Sequence, residues 1–402
     1  MRVLAVVLAA AALCTAQSAV AGVEELTVGG RFMWDATVWS RVDEQQEGAW
    51  DGIDFPNGTE TRRARVFLRG KVYDNLDFKV VYDFAAGDEI ALKDAYLDLV
   101  EVPGVGSVMI GQFNEPLCFN ELTSSKYTSF LERASLNAFA PGRNAGLMVH
   151  GSASDDRVYY QVGFFLDTGE MAEMTGNDDY SLTGRLAYLV AGEEKSDMLV
   201  HLGGAFSYFV PGGGVRYSQR PEVHLSDKLV DTGTIMNAEN LLRYGGEIAG
   251  VFGPFYFAGE SIVVSIAKSD EHAPAVATRG DVWLSDDGSL SGLYAEAGCF
   301  LTGERRIYKS GLWDRTKPKA NFLEDGGLGA WEIAVRYSSL DLNDENASLD
   351  GGKMDDMTLG LNWYLHSNAR IMFNYVKSSV KDSEDSVVGS TNALAMRMQV
   401  DF

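Results

Sequence analysis

Leu394-Ala395-Met396-Arg397-Met398-Gln399-Val400-Asp401-Phe402 alternates without a break. Leu394, Met396, Met398, Val400 and Phe402 share one face of an extended chain, and Ala395, Arg397, Gln399 and Asp401 share the other. Side chains on a strand point alternately to opposite faces, so this segment reads as a strand with one apolar and one polar side. An edge strand of a soluble sheet has the same alternation, and repetition along the chain separates the two cases. The pattern does repeat. Ala64, Val66, Leu68, Gly70 and Val72 oppose Arg63, Arg65, Phe67, Arg69 and Lys71. Leu76, Phe78, Val80, Tyr82 and Phe84 oppose Asp77, Lys79, Val81 and Asp83, and Val158, Tyr160, Val162, Phe164 and Leu166 oppose Arg157, Tyr159, Gln161, Gly163 and Phe165. Apolar residues on one side of a strand and charges on the other suit a barrel wall between lipid and a water-filled lumen.

About sixteen such segments are expected, near 26–41, 59–73, 75–85, 90–101, 104–113, 144–153, 156–167, 180–192, 197–210, 241–253, 254–268, 291–303, 328–342, 354–366, 369–380 and 391–402. An even number suits a single-chain bacterial barrel. Tight turns at Asp74-Asn75, Pro103-Gly104, Gly253-Pro254 and Ser367-Asn368 alternate with long connections at 42–58, 114–143, 168–179, 211–240 and 269–290. The connection at 304–327 breaks this rhythm, being long where a short turn is due. The fold class is therefore all-β, a transmembrane antiparallel barrel, and the terminal phenylalanine resembles the C-terminal sorting signature of bacterial outer-membrane barrels.

Composition agrees. The 402 residues include 43 Gly, 20 Phe and 17 Tyr against 9 Pro, a balance of strands and turns rather than long helices. Apolar residues make up 46% of the chain, too many for general disorder, and no apolar run of helix-spanning length follows the leader. That leader is expected over residues 1–21: Met1-Arg2 precede an apolar stretch from Val3 to Leu13, and Ala19-Val20-Ala21 offers a small-x-small cleavage site. Residues 22–402 then form one barrel domain with no separate plug. The formal charge is −23, from 34 Lys and Arg against 57 Asp and Glu, and such a surface repels nucleic acid. Many of the acids fall in predicted outer loops, as in Asp167, Glu170, Glu173, Asp178 and Asp179, or Asp341, Asp344, Glu345, Asp350, Asp355 and Asp356. They are either solvated loops or holders of divalent cations that bridge lipopolysaccharide.

One region carries a more specific likeness. Ile110-Gly111-Gln112-Phe113-Asn114-Glu115-Pro116 runs into Glu121-Leu122-Thr123-Ser124-Ser125-Lys126-Tyr127, Phe130-Leu131-Glu132-Arg133 and Asn137-Ala138-Phe139-Ala140-Pro141-Gly142-Arg143-Asn144. With Arg62-Arg63-Ala64-Arg65, Phe300-Leu301-Thr302-Gly303-Glu304, Lys317-Pro318-Lys319, Gly329-Ala330-Trp331-Glu332 and Leu359-Gly360-Leu361-Asn362-Trp363-Tyr364, the chain resembles the phosphate-selective porin O and P family over nearly its whole mature length. The resemblance implies a sixteen-stranded homotrimeric barrel in the bacterial outer membrane. Inward-folded loops would narrow a basic pore for phosphate or related anions, and the odd turn would fold inward.

Selection of an anion needs hydrogen-bond donors and positive potential along its path. Arg63, Arg65, Arg69 and Lys71 share one strand face, the alternate positions about 7 Å apart. They either pass an oxyanion along or are ordinary solvated lumen residues. Arg62, matched by the resemblance, faces outward by strict parity unless a bulge turns it in. Ser124, Ser125 and Lys126 resemble the family's anion-binding stretch; read alone they also fit a capped turn with an exposed lysine. Arg133 and Arg143 are expected to join them, although Glu115, Glu121 and Glu132 balance the loop's charge. The resemblance puts Asp94 opposite the basic site. The turn at 304–327, with Arg305, Arg306, Lys309, Arg315, Lys317 and Lys319, is either a local anion sink or a solvated turn.

An enzyme is not expected, nor a cofactor or metal: the five His show no ligand spacing, and no nucleophile elbow or phosphate-cradling loop is present. Cys118 and Cys299 imply no disulfide. The expected function is a passive channel for small phosphate-class anions in contact with outer-membrane lipid, with a general or cation-preferring pore as the alternative. An outer-membrane barrel enzyme or a structural barrel ranks behind both.

Overall fold

The computed structural model describes residues 23–402 apart from 49, 86, 88–89, 169–178 and 272–279. The expected leader, Glu170, Glu173, Asp178 and His272 therefore lie outside the described residues. Those described form a closed barrel of sixteen antiparallel strands. In chain order the strands are β1 (Val23–Glu44), β2 (Gly58–Val72), β3 (Leu76–Asp83), β4 (Ala91–Val102), β5 (Gly106–Asn114), β6 (Arg143–Ala153), β7 (Val158–Leu166) and β8 (Tyr180–Ala191). They continue with β9 (Met198–Val210), β10 (Ala238–Phe252), β11 (Phe255–Lys268), β12 (Gly288–Phe300), β13 (Ala330–Asp344), β14 (Leu349–His366), β15 (Ala369–Lys381) and β16 (Val387–Asp401).

Each strand pairs with its sequence neighbours, and β16 returns to β1 with Phe32 opposite Val400 and Trp34 opposite Met398. The last residue completes the closure. Phe402 N–H donates to Gly30 O at 3.1 Å, and Gly30 N–H donates to Phe402 O at 2.9 Å. A Cβ on Gly30 would lie 2.8 Å from the Phe402 ring and 2.6 Å from Arg65 O, so the terminal aromatic needs a glycine beneath it. Along β16, Leu394 is 55% exposed while Arg397 is fully buried. Alternation has thus sorted residues between lipid and lumen.

The barrel is not hollow throughout. Residues 115–142 enter it, carrying the short helix α1 (Phe119–Leu122) and a 3-10 turn at Ser135–Phe139. Phe119, Phe130, Leu136 and Phe139 are buried. The turn between β12 and β13 enters from the opposite rim as a small hairpin, Ile307–Lys309 against Leu312–Asp314. Tyr308 and Trp313 of this hairpin join Phe119, Tyr256 and wall residues of β9–β14 in one packed cluster. The expected inward fold of 304–327 holds for that hairpin, whereas the later part stays at the rim, with Phe322 edge-on to Trp363 at 4.7 Å. One side of the barrel is therefore filled at its middle.

Two differences from the sequence reading have local causes. β14 begins at Leu349 rather than near 354. Gly351 and Gly352 interrupt the alternation there, and Gly352 adopts φ +84°, yet Leu349 and Met354 still pack inward. At Arg62 strict parity fails: Met33 pairs with Arg63 and Trp34 with Thr61, so a β-bulge leaves Arg62 unpaired in the ladder and turns it into the lumen.

Candidate functional site

The entering loop is fixed to the wall by side chains of β11 and β13–β16. Arg370 Nη1 donates to Thr128 O at 2.7 Å and Gln399 Nε2 to Lys126 O at 3.2 Å. Asn362 Nδ2 donates to Ser129 O at 2.8 Å, Arg336 Nη2 to Glu132 O at 2.9 Å, and Arg397 to Leu131 O. At its start, Phe119 N–H donates to Glu260 at 2.9 Å. Arg397 is itself held by Asp35 at 2.6 Å and by Glu132 at 2.7 Å. Burial would raise the pKa of Glu132, but the guanidiniums of Arg62, Arg397 and Arg63 hold it well below the usual carboxylate range. Charge-assisted bonds to carbonyls and carboxylates away from water make this a rigid floor rather than a mobile flap.

Three cavities follow one another along the lumen. At the long-loop rim, a cavity of about 220 Å³ is lined by Arg62, Arg63, Glu132, Arg133, Arg220 and His224, among others. Arg133 is shared with the next, a constriction of about 240 Å³. Its lining holds five cations (Arg31, Arg65, Lys79, Arg133, Arg143), two carboxylates (Asp94, Glu121) and the Ser124 and Ser125 side chains. Beyond it, at the short-turn rim, a cavity of about 890 Å³ is lined by Arg69, Arg305, Lys309, Arg315, Lys317 and Lys319 against Asp197, Glu304 and Asp314. Each of these three carries more positive than negative side chains, whereas a separate cavity of about 690 Å³ between the turns at 155–157 and 192–195 is acidic.

Pairing decides which of these charges an ion would meet. Asp94 accepts from Lys79 and Arg143, both at 2.6 Å. Glu121 pairs with Arg133 at 3.0 Å, and Arg65 with Asp83 at 2.6 Å. Arg62 is bound to Glu132 through two bonds of 2.9 Å. Arg31 differs. Its Nη1 donates to Ser125 Oγ at 2.6 Å, and it makes no ion pair among the described residues. Arg63 touches Met33 Sδ at 3.7 Å and leaves its buried Nε unpartnered.

The predicted residues thus divide. Arg62, Arg63, Arg65, Arg69, Asp94, Ser124, Ser125, Arg133, Arg143 and Arg305 line one or another cavity, while Lys71 lies outside all three. Arg306 is a structural pin, donating to Tyr127 O and stacked over Tyr256 and Trp313. Lys126 turns away from the constriction toward Asp401, at 3.6 Å, in a small cleft shared with Arg315. Burial, with the nearby positive charges of Arg31 and Arg315, brings its pKa down to about 8 against the pull of Asp401. The constriction's ammonium is that of Lys79. Sequence reasoning passed over Arg31 and Lys79, although both fall on inward positions of strands whose alternation was clear. Of the acids assigned to outer loops, Asp356 lies inside the barrel at 1% exposure. Cys118 and Cys299 are both free.

The family model described as phosphate-selective porin O and P matches residues 26–402. An uncharacterized protein of Caulobacter vibrioides is 28% identical over 373 residues, covering 86% of this chain and 68% of that protein. Porin O of Pseudomonas aeruginosa is 23% identical over 371 residues, covering 82% of this chain and 80% of that protein. Among solved structures, the anion-selective porin of Comamonas acidovorans superposes with a TM-score of 0.56 at 13% identity, covering 94% of this chain and 99% of that one. At that identity the likeness speaks for the barrel fold alone.

Proposed function

The chain belongs to the phosphate-selective porin O and P family of bacterial outer-membrane barrels, and on that premise we propose that it is a passive channel whose preferred solutes are small phosphate-class anions. One observation carries the reading: Arg63, Arg65 and Arg69, on one face of β2, open in turn into the outer cavity, the constriction and the inner cavity. An anion entering from outside meets Arg63 and Arg220, passes Arg133, and reaches Arg31 beside the Ser125 hydroxyl. It leaves through the basic inner cavity, where Arg69 and Arg315 replace part of its hydration shell. No covalent step is involved; the wall lowers the desolvation cost for one sign of charge and raises it for the other.

Asp94, Glu121 and Glu132 favour the competing reading of a general or cation-preferring pore. Each already accepts from at least one cation, which leaves little attraction for a passing metal ion. The trimer belongs to this proposal as well, on the family likeness, and cross-linking of the detergent-solubilised protein tests it. Reversal potential in a salt gradient across a planar bilayer, with inorganic phosphate as blocker, tests the selectivity. An anion-favouring potential and phosphate block are expected. A cation-favouring potential untouched by phosphate would overturn the proposal.

A further inference from the structure

The constriction has two kinds of wall. From β1 to β3 it is basic, with Arg31, Arg65 and Lys79; from β4 to β6 Tyr96, Met109, Phe113 and Met148 form an apolar strip beside the paired Asp94 and Arg143, with Leu122 of the entering loop lining the same cavity. The apolar strip is a built surface. Met109 and Met148 are cross-strand partners. Phe113 stands edge-on to Tyr96 at 6.1 Å and to Phe165 at 5.4 Å. The row beside Tyr96 is Gly111 and then Gly146, and a Cβ on Gly146 would lie 2.4 Å from the Phe165 ring, so the glycines let the aromatic rings lie flat on the wall. Phe113 and Met148 are buried beneath, which leaves Tyr96, Met109 and Leu122, all half-buried, facing the passage.

We infer that the constriction is a selectivity site for organic anions that join one anionic group to a compact apolar body, in preference to bare inorganic phosphate. The inference rests on the anion-channel reading above and deepens it. Bare oxyanions gain nothing from thioethers and a ring face, and an apolar wall inside a water-filled pore is unfavourable until something covers it. The basic side, for its part, offers Arg31 as the cation without a carboxylate partner among the constriction's described residues, with the Ser125 hydroxyl bonded to it and Ser124 in the same lining, which suits one phosphate, phosphonate or carboxylate group. With that group on Arg31, the rest of the molecule lies across Met109 and Leu122, beside the Tyr96 ring that the Lys79 ammonium overlies at 5.9 Å, where thioether and aliphatic surfaces accept apolar groups.

The test compares inorganic phosphate with phenyl phosphate, two blockers that share a head group, on the full-length porin in planar bilayers at neutral pH. Phenyl phosphate is expected to reach half-block at a concentration roughly tenfold lower, the gain from covering one ring face. Met109→Ser is expected to close most of that gap and leave phosphate block unchanged. Leu122→Ser, on the loop side, provides a second variant should the first fold poorly. Arg31→Gln should weaken both blockers and preserve their ratio. Equal block by the two compounds in the unmodified channel would overturn the inference while the anion reading stood. A phenyl preference that survived both serine variants would also overturn it. No block by either compound, with a cation-favouring potential, would overturn the underlying reading itself.

Discussion

Replacing Arg31 by Gln removes one charge from the constriction and very little else. The lining falls from five cations to four against the same two carboxylates. A guanidinium in hydrogen-bond contact with an oxyanion has its charge about 4 Å from the anion's centre, worth ~1 kcal/mol at the dielectric of bulk water and ~4 kcal/mol at an effective dielectric of 20. A narrow passage between protein walls lies between these limits, so a loss of about 1.5–2 kcal/mol is expected, or roughly 10–30-fold weaker phosphate block. The fold should scarcely notice. Among the described residues the Arg31 side chain is tied only to Ser125 Oγ, to which a glutamine amide also donates, so the stability change should stay within about 0.5 kcal/mol. Arg65→Gln is the informative contrast, because it abandons Asp83, which is 3% exposed. That variant should lose block and also ~1–3 kcal/mol of stability for the carboxylate left without its partner. The assay is half-block concentration on single channels, alongside the urea midpoint in detergent. A folded Arg31→Gln channel with unchanged block and unchanged reversal potential would refute the reasoning.

Three further outcomes follow from the geometry. Lys126 has its pKa lowered to about 8 by burial and by Arg31 and Arg315, so it loses its charge as pH rises from 7 to 9. Anion preference should step down over that range, and Lys126→Met should make the step smaller. Because the folded-state pKa lies below the unfolded one, the unfolded chain binds more protons between them, and this group's share of stability rises with pH across that window. Arg397→Met leaves Asp35 buried without its partner and releases Leu131 O, which should cost ~3–5 kcal/mol in a urea titration and make the open-channel current noisier as the floor loosens. Replacing residues 305–318 by a short glycine-rich turn removes Arg305, Lys309, Arg315 and Lys317 from the inner cavity. Single-channel conductance should rise and the anion-to-cation permeability ratio should fall; an unchanged ratio would exclude the inner cavity from selection.

The barrel was legible in the sequence because a period of two survives any loop insertion and needs no knowledge of partners. Sorting by parity also put Arg63, Arg65 and Arg69 on the lumen side, and the same rule applied to β1 and β3 would have found Arg31 and Lys79. It failed at Arg62, since a bulge is a property of register between two strands, and neither strand's own pattern encodes it. Lys126 was misplaced for a different reason. Its neighbours Ser124 and Ser125 do line the constriction, but the lysine is drawn to Asp401, a residue 275 positions later that arrives beside it only when β16 closes the barrel. The latch of Arg397 on Asp35, which joins the two ends of the chain, was hidden by the same distance.

The net charge of −23 says little about what the pore admits, because the charges do different work in different places. On the filled side of the barrel, arginines and carboxylates cancel in buried pairs: Arg397 with Asp35 and Glu132, Arg336 with Glu222, Arg185 with Glu247. Those acids hold loops in position and offer a passing ion almost no field. Charges on the outer loops face electrolyte, where the screening length is about 8 Å at physiological ionic strength, so they act weakly on the constriction. What remains is the small set of cations that line the passage without a carboxylate partner among the described residues, Arg31 and Arg63 foremost. Selectivity should accordingly follow substitutions at those two positions far more steeply than it follows the chain's total charge. Neutralising Asp341 and Asp344 at the outer rim should leave the reversal potential nearly unmoved at physiological salt. A shift comparable to that of Arg31→Gln would mean that the outer field selects, and that the order of the arginines along β2 is incidental.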